Sequence, residues 1–413
     1  MMKRFVYFTA ICYLIVISLC AAAAHAAPSV NVSRNRVTIQ EAVTDEILTK
    51  TKEGVGETKD LIFILLKINS NEDIAKICEA YPDMKELTIS GEKDLTSIAP
   101  VAKLNKLTRL EIKADSVEDV SPLSSLTGLT NIKVEVRGMG PDLKWMSGLT
   151  NLTALSVRAG KSLVSFEGVP SASKLTSGAF ILIQQNTSPM DLTPLTALPA
   201  MKTLELNGVN IPDLSPLAGL SKLEKLNLNE STVKDFSPLA GCPALKELNF
   251  YATKGADYNT LGKITRLQVL DGGLTKLDDI SWISGLTNLK KYRMNGEYIK
   301  DLTPLAKLKL EELIIFDMRV DAIDLGFLSG MTGMKKLTLQ GLEGVSNLNE
   351  LQNLTALTTL VVIKVNTKGG EPVPLDLIKK LPNLVDFTVS RGLFTEEQLT
   401  GFANPKIKVT TRL

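Results

Sequence analysis

A single histidine, His25, stands among 413 residues. It falls inside residues 1 to 26, a stretch with the pattern of an export signal. The mature chain then has no imidazole. That excludes zinc sites built on histidine, Ser-His and Cys-His nucleophile pairs, and histidine acid–base catalysis. The other chemistry-bearing spacings are weak. Gly160-Lys-Ser162 resembles the end of a phosphate-binding loop, but that loop needs a glycine where the chain has Leu155, and a helix after it. Ser171-Ala-Ser-Lys174 and Ser231-Thr-Val-Lys234 have a Ser-x-x-Lys spacing, without the Ser-Asp-Asn and Lys-Thr-Gly partners that make it an acyl-transfer site. Asp278 and Asp279 pair two carboxylates, yet Asp279 occupies a slot that recurs along the chain as a turn aspartate. The expectation is a non-enzyme, with no catalytic residue, no metal and no cofactor.

Lys3 and Arg4 precede the apolar run Phe5 to Leu19, and Ala24-His25-Ala26 offers small residues at the cleavage positions. The run is too short and wrongly flanked for a stable anchor, and no later stretch can span a bilayer. The protein is expected to be exported, to a periplasm or beyond, with no integral membrane segment after cleavage. The chain has 47 basic and 45 acidic residues, and the counts become equal once Lys3 and Arg4 are removed. No basic excess remains to favour nucleic acid or an anionic membrane as a general partner. Cys78 and Cys242 are the two cysteines left after the signal.

What must position any functional residue is a repeat. Leu223-Glu-Lys-Leu226-Asn-Leu228 recurs 22 residues later as Leu245-Lys-Glu-Leu248-Asn-Phe250. The same frame starts at Met84, Leu107, Leu129, Leu152, Leu175, Met201, Leu267, Leu289, Leu310, Met334, Leu357 and Leu384. Between these starts recur Asp119-Val-Ser-Pro-Leu123, Asp191-Leu-Thr-Pro-Leu195, Asp213-Leu-Ser-Pro-Leu217, Asp235-Phe-Ser-Pro-Leu239 and Asp301-Leu-Thr-Pro-Leu305. Trp145, Trp282 and Phe327 take the proline slot elsewhere. Leucines two apart lie on one face of a short strand. Proline fixes φ and lacks an N–H, which suits a short extended or 3₁₀ return. One repeat cannot bury its apolar edge alone, so neighbours stack into a continuous core. Periods near 22 are the mark of a leucine-rich repeat solenoid. The expected fold class is an α/β-type solenoid, an arc with a parallel sheet on its concave face and short 3₁₀ or extended segments on its convex face. About 14 strands at ~4.8 Å spacing make an arc on the order of 65 Å long.

The frame and its Asp-x-Ser/Thr-Pro-Leu return resemble the internalin-type leucine-rich repeat proteins, secreted and surface proteins of bacteria. The resemblance covers roughly residues 84 to 400. It implies a binding scaffold that holds a protein partner on its concave face. The buried asparagine of that family's turn is replaced here by Asp115, Val209, Ser231, Thr253, Thr275 and Glu297. The repeats at Leu175 and Leu267 carry Gly178 and Gly272 where apolar residues belong, and are expected to be bends or soft points. The expected organisation is a signal at 1–26, a linker or short helix at 27–58, and an N-terminal cap of strand plus helix at 59–83. Repeats follow over 84–394, and a C-terminal cap over 395–413. Asn71 is expected as the N-cap of the first cap helix, and Thr395 to Phe402 as a short helix. Cys78 and Cys242 precede strands seven steps apart, on the order of 30 Å, too far for a disulfide.

On the concave face the outward positions form rows. In the N-terminal third Glu111 faces Lys133, Lys113 faces Glu135, and Glu135 faces Arg158. Further on, Asn207, Asn227, Asn229, Asn249 and Asp271 form a polar sector that could bind a glycan, an alternative reading of an envelope glycan or peptidoglycan binder. Tyr251, Arg293, Ile314, Phe316, Val361 and Ile363 form the expected partner-binding set, because large apolar residues on the solvent side of a strand call for a partner.

Overall fold

Parallel pairing starts at the strand Arg36–Ile39, continues through Ile62–Ile68 and runs without interruption to Lys408–Arg412. The computed structural model describes residues 30–412 apart from 41, 172–173, 184–186, 276, 296–298, 319, 321 and 405. The expected signal segment, residues 1–26, lies outside the described residues. Among them the main sheet has 19 strands. Its register advances by one repeat per strand: Lys225 lies between Thr203 and Glu247, and Leu226 between Leu204 and Leu248. The inward leucines, isoleucines and valines of all repeats merge into one continuous core. This is the stacking a quasi-one-dimensional fold requires.

Each return is a 3₁₀ turn, as at Ser121–Ser125, Thr193–Ala197, Ser215–Gly219, Ser237–Gly241 and Thr303–Lys307. The recurring aspartate starts it. Oδ1 of Asp119, Asp191, Asp213, Asp235, Asp279 and Asp301 accepts the N–H two residues on, at 2.7–2.9 Å. Hydrogen bonds from the following serine or threonine hold the carboxyls of Asp119, Asp191, Asp213, Asp235 and Asp279 below the usual range. Asp279 is therefore a turn residue, not half of a carboxylate pair. Trp145, Trp282 and Phe327 bury their rings where other repeats have proline.

The two ends differ from expectation in detail. The sequence predicts a linker or short helix at 27–58. The described part holds a hairpin, Val30–Ser33 against Arg36–Ile39, and a helix, Asp45–Val55. Arg36–Ile39 pairs in parallel with Ile62–Ile68, so the hairpin extends the sheet and covers its first edge. Thr44 caps the helix by accepting from the Ile47 N–H. The second helix, Asn71–Ala80, is capped by Ser70 rather than Asn71. Oδ1 of Asn71 instead accepts from the Thr96 and Ser97 N–H groups, tying the cap to the first repeat. At the far end, residues 395–402 form turns instead of a helix, and Lys408–Arg412 closes the sheet.

Neither glycine repeat is a gap. Gly178 sits in the unbroken strand Ser177–Leu182 beneath the Met201 methyl. The Phe250 ring occupies the space a side chain at 272 would fill. Cys78 and Cys242 are free and buried. Burial pushes their thiols up to about 12 and about 11, and Sγ of Cys242 donates to the Leu217 carbonyl at 3.1 Å.

The missing turn asparagine is replaced by a hydroxyl that works one repeat back. Oγ of Ser231 accepts from the Val209 N–H at 3.1 Å and donates to the Leu206 carbonyl at 2.6 Å. Thr253 repeats the second bond, to the Leu228 carbonyl. Val209 needs no polar side chain because its successor supplies one.

Candidate functional site

The N-terminal third of the concave face is self-paired. Lys133 meets Glu111 at 2.6 Å, Glu135 lies between Lys113 and Arg158, and Arg137 meets Asp115 at 2.9 Å. These contacts follow the strand register. Pairs of this kind, exposed or half-exposed, contribute little to stability.

In the middle, the half-buried asparagine side chains bend back onto the backbone. Oδ1 of Asn227 accepts the Asn229 N–H at 3.0 Å, Oδ1 of Asn249 the Tyr251 N–H at 3.1 Å, and Oδ1 of Asp271 the Gly273 N–H at 3.3 Å. Oδ1 of Asn229 shares the Tyr251 N–H. Each bond takes a donor from the sheet, so the strands Lys225–Asn227 and Glu247–Asn249 stop after three residues. The side-chain oxygens of the proposed glycan sector are thus committed to the chain itself. Asn207 differs, since its Oδ1 is shut away from solvent with no hydrogen-bond partner.

Directly after these strands the backbone becomes left-handed, at Gly208, Glu230, Ala252 and Leu274 in steps of 22, and again at Asp317, Gly341 and Lys364. There the Glu230 N–H donates to Tyr251 O and the Ala252 N–H to Gly273 O, both at 2.8 Å, which ties each turn to the following repeat.

The third sector brings four of the expected residues together. The Arg293 guanidinium carbon lies 5.6 Å from the Tyr251 ring centre and 5.0 Å from that of Phe316. Its Nη1 is 3.6 Å from Oδ2 of Asp271. Burial pushes the Asp271 carboxyl up, with Arg293 opposing, and burial likewise raises the Tyr251 hydroxyl. The cluster forms over Gly273. A Cβ there would stand 2.8 Å from Cζ of Phe316 and 3.0 Å from Cδ2 of Tyr251. The Tyr251 ring from the preceding repeat and the Phe316 ring from two strands further on lean into the space above the glycine while the guanidinium lies across both, an arrangement worth ~0.5–2 kcal/mol per ring.

Strand alternation predicts Phe316 as an exposed anchor. It is on the concave side and outside the continuous core, but only 9% exposed, seated in the Gly273 notch beside Arg293. Ile363 is likewise nearly covered and outside the core. Ile314 and Val361 are half-buried, and Thr338 lies between them in register, so they do not form one apolar patch.

Leu274 is not a residue that the sequence singles out. It has φ 54° and is 45% exposed, beside the Gly273 notch. A leucine in that conformation is strained, and its exposure returns no burial energy. The only sequence signal is its place after Gly208, Glu230 and Ala252, a slot elsewhere given to small or polar residues. Leu274→Gly is expected to raise stability by about 0.5–1 kcal/mol in urea unfolding, because the strain goes and little contact is lost. An unchanged or lowered midpoint would show that the leucine packs usefully.

Among the described residues no cluster of histidine, cysteine, aspartate or glutamate could hold a metal ion, and no helix is long and apolar enough to cross a membrane.

Stacked strand–turn–3₁₀ units of about 22 residues with one shared core define a leucine-rich repeat solenoid. Solved structures carry the same fold. The leucine-rich repeat protein LIC12759 of Leptospira interrogans aligns over 89% of this chain and 92% of its own, at 15% identity and TM-score 0.53. TLR13, in its complex with ssRNA13, aligns over 82% of this chain at 18% identity and TM-score 0.58, and this chain spans 55% of its length. The internalin InlF of Listeria monocytogenes aligns over 92% of this chain and 87% of its own at 19% identity, with a TM-score of 0.46. No protein-family model and no curated protein matches the chain.

Proposed function

We propose that the chain is an exported, non-catalytic scaffold that captures a protein partner on the C-terminal half of its concave face. The observation that carries this reading is the cluster of Tyr251, Arg293 and Phe316 around Gly273, with the strained, exposed Leu274 at its rim. Rigid aromatic rings and a directed guanidinium are the usual centre of a protein interface. Export rests on the signal-like residues 1–26. The glycan reading has less support, because the asparagine oxygens it would use already accept backbone donors.

The test places a photo-cross-linking side chain either at Ile314, on the concave face, or at Thr287, exposed beside the return layer. A discrete protein adduct is expected from Ile314 alone, competed by unlabelled protein. Phe316→Ala should then weaken that partner about tenfold, since the ring sits in the notch and orders Arg293. Equal adducts from both positions would overturn the face assignment. Binding on a carbohydrate array without any protein adduct would favour the glycan.

A further inference from the structure

Away from the aromatic cluster, unmet polar groups gather at the junction between the charged third and the asparagine sector. Four outward positions there carry small residues, Ala154, Ser156, Ser177 and Ala179. Their shortness leaves a hollow of about 180 Å³ in the concave face, walled on one side by the Glu111–Lys133 pair. Ala179 closes its other end, and the next residue in register is Glu205.

Glu205 is unlike the other acids of its row. Glu111 has Lys133, and Asp271 has Arg293. Glu205 stands between Ala179 and Asn227, which bring no charge. Among the described residues it makes no ion pair or hydrogen bond, and burial alone raises its carboxyl. Two residues on, along the same face, lies the unpartnered Oδ1 of Asn207. Arg109 lines the hollow's far end, four strands from Glu205. At ~4.8 Å per strand that is roughly 19 Å, beyond useful screening distance. A half-buried carboxylate without a donor thus stands next in register to a hollow that is itself short of side chains. What completes the carboxylate is a long side chain ending in a cation with several N–H donors.

We infer that this hollow receives a lysine or arginine side chain of the protein partner, with Glu205, next in register to Ala179, as its counter-ion. The inference rests on the scaffold reading and names the chemistry of what the scaffold recognises. A partner spanning from Glu205 to Arg293 crosses five neighbouring strands, from Thr203–Asn207 to Lys291–Asn295, roughly 19 Å, well within a modest interface.

The test uses defined probes instead of the partner: fluorescein-labelled pentalysine amide, its fully Nε-acetylated form, and spermine, at low salt. Pentalysine should bind and the acetylated peptide should bind at least tenfold more weakly. Glu205→Gln keeps shape and removes charge, and should weaken pentalysine about tenfold. Ala179→Leu, which fills the hollow, should do the same. Glu311→Gln makes the same change in net charge at the outer edge and should have no effect. Thermal melts confirm that each variant folds. The inference is overturned if pentalysine fails to bind, if Glu311→Gln weakens it as much as Glu205→Gln, or if spermine binds as tightly as the peptide. Phe316→Ala should leave pentalysine binding unchanged. A scaffold that yields the Ile314 adduct yet ignores pentalysine keeps the proposed function and loses this inference.

Discussion

Excision of one full period, Leu223–Ala244, is expected to leave a shorter protein that still unfolds in a single cooperative step. The register explains why. Lys225 pairs with Thr203 on one side and Glu247 on the other, so removing 22 residues sets Thr203 directly against Glu247 in the same frame. Thr253 then stands where Ser231 stood and can bond the Leu206 carbonyl, as it now bonds that of Leu228. The denaturant dependence should fall only by about 5%, in proportion to the surface lost. Removing only Leu223–Val233 is expected to abolish cooperative unfolding. It joins two return segments with no strand between them, leaving a break in a core that every repeat shares with its neighbours. Trp145 and Trp282 lie on opposite sides of the cut and report each half by fluorescence. Two separate transitions in the full-period deletion would count against the register.

Ser231→Ala is expected to cost roughly 2–4 kcal/mol, large for the loss of one oxygen. That oxygen serves two backbone groups of the preceding repeat, and both are buried. Each unmet buried group costs ~1–3 kcal/mol. Ser231→Thr should stay within about 1 kcal/mol, because threonine fills the equivalent slot at 253 and 275. Urea titrations of the three proteins decide the matter. A small effect of alanine would mean that the Val209 N–H finds another acceptor.

Much of the fold is written in the spacing of a few residue types. Leucines at 223, 226 and 228 announce a strand, and Asp235-Phe-Ser-Pro announces the turn that follows. The ionic contacts around Glu135 follow from register alone. The hairpin Val30–Ile39 is not legible, since it belongs to no repeat and its partner, Ile62–Ile68, is reached only after a helix. The candidate site is partly legible. Alternation places Tyr251, Arg293 and Phe316 on the concave side. It cannot show that Gly273 acts by absence, letting two rings converge, nor that Phe316 is thereby mostly covered. Leu274 stays hidden because backbone handedness does not show in a leucine. Glu205 looks like one acid among many, because being alone is a property of its neighbours.

The varying width of the strands has a mechanical consequence. Asn131–Val136, Ala154–Ala159 and Ser177–Leu182 each run six residues, whereas Lys225–Asn227 and Glu247–Asn249 run three. Strands stacked side by side act as springs in series, and such a chain takes up load where it is softest. A force that opens or closes the arc should therefore flex it near residues 225 to 249, with the wide N-terminal block moving as a rigid arm. Hydrogen exchange should be fastest in those narrow strands, and uniform protection across the sheet would contradict this. The narrow strands are cut short by the same asparagines that line the middle of the concave face, between Glu205 and the aromatic cluster. The compliant joint thus lies between the two places where a partner is proposed to be gripped, and its stiffness would govern how far apart those grips can sit.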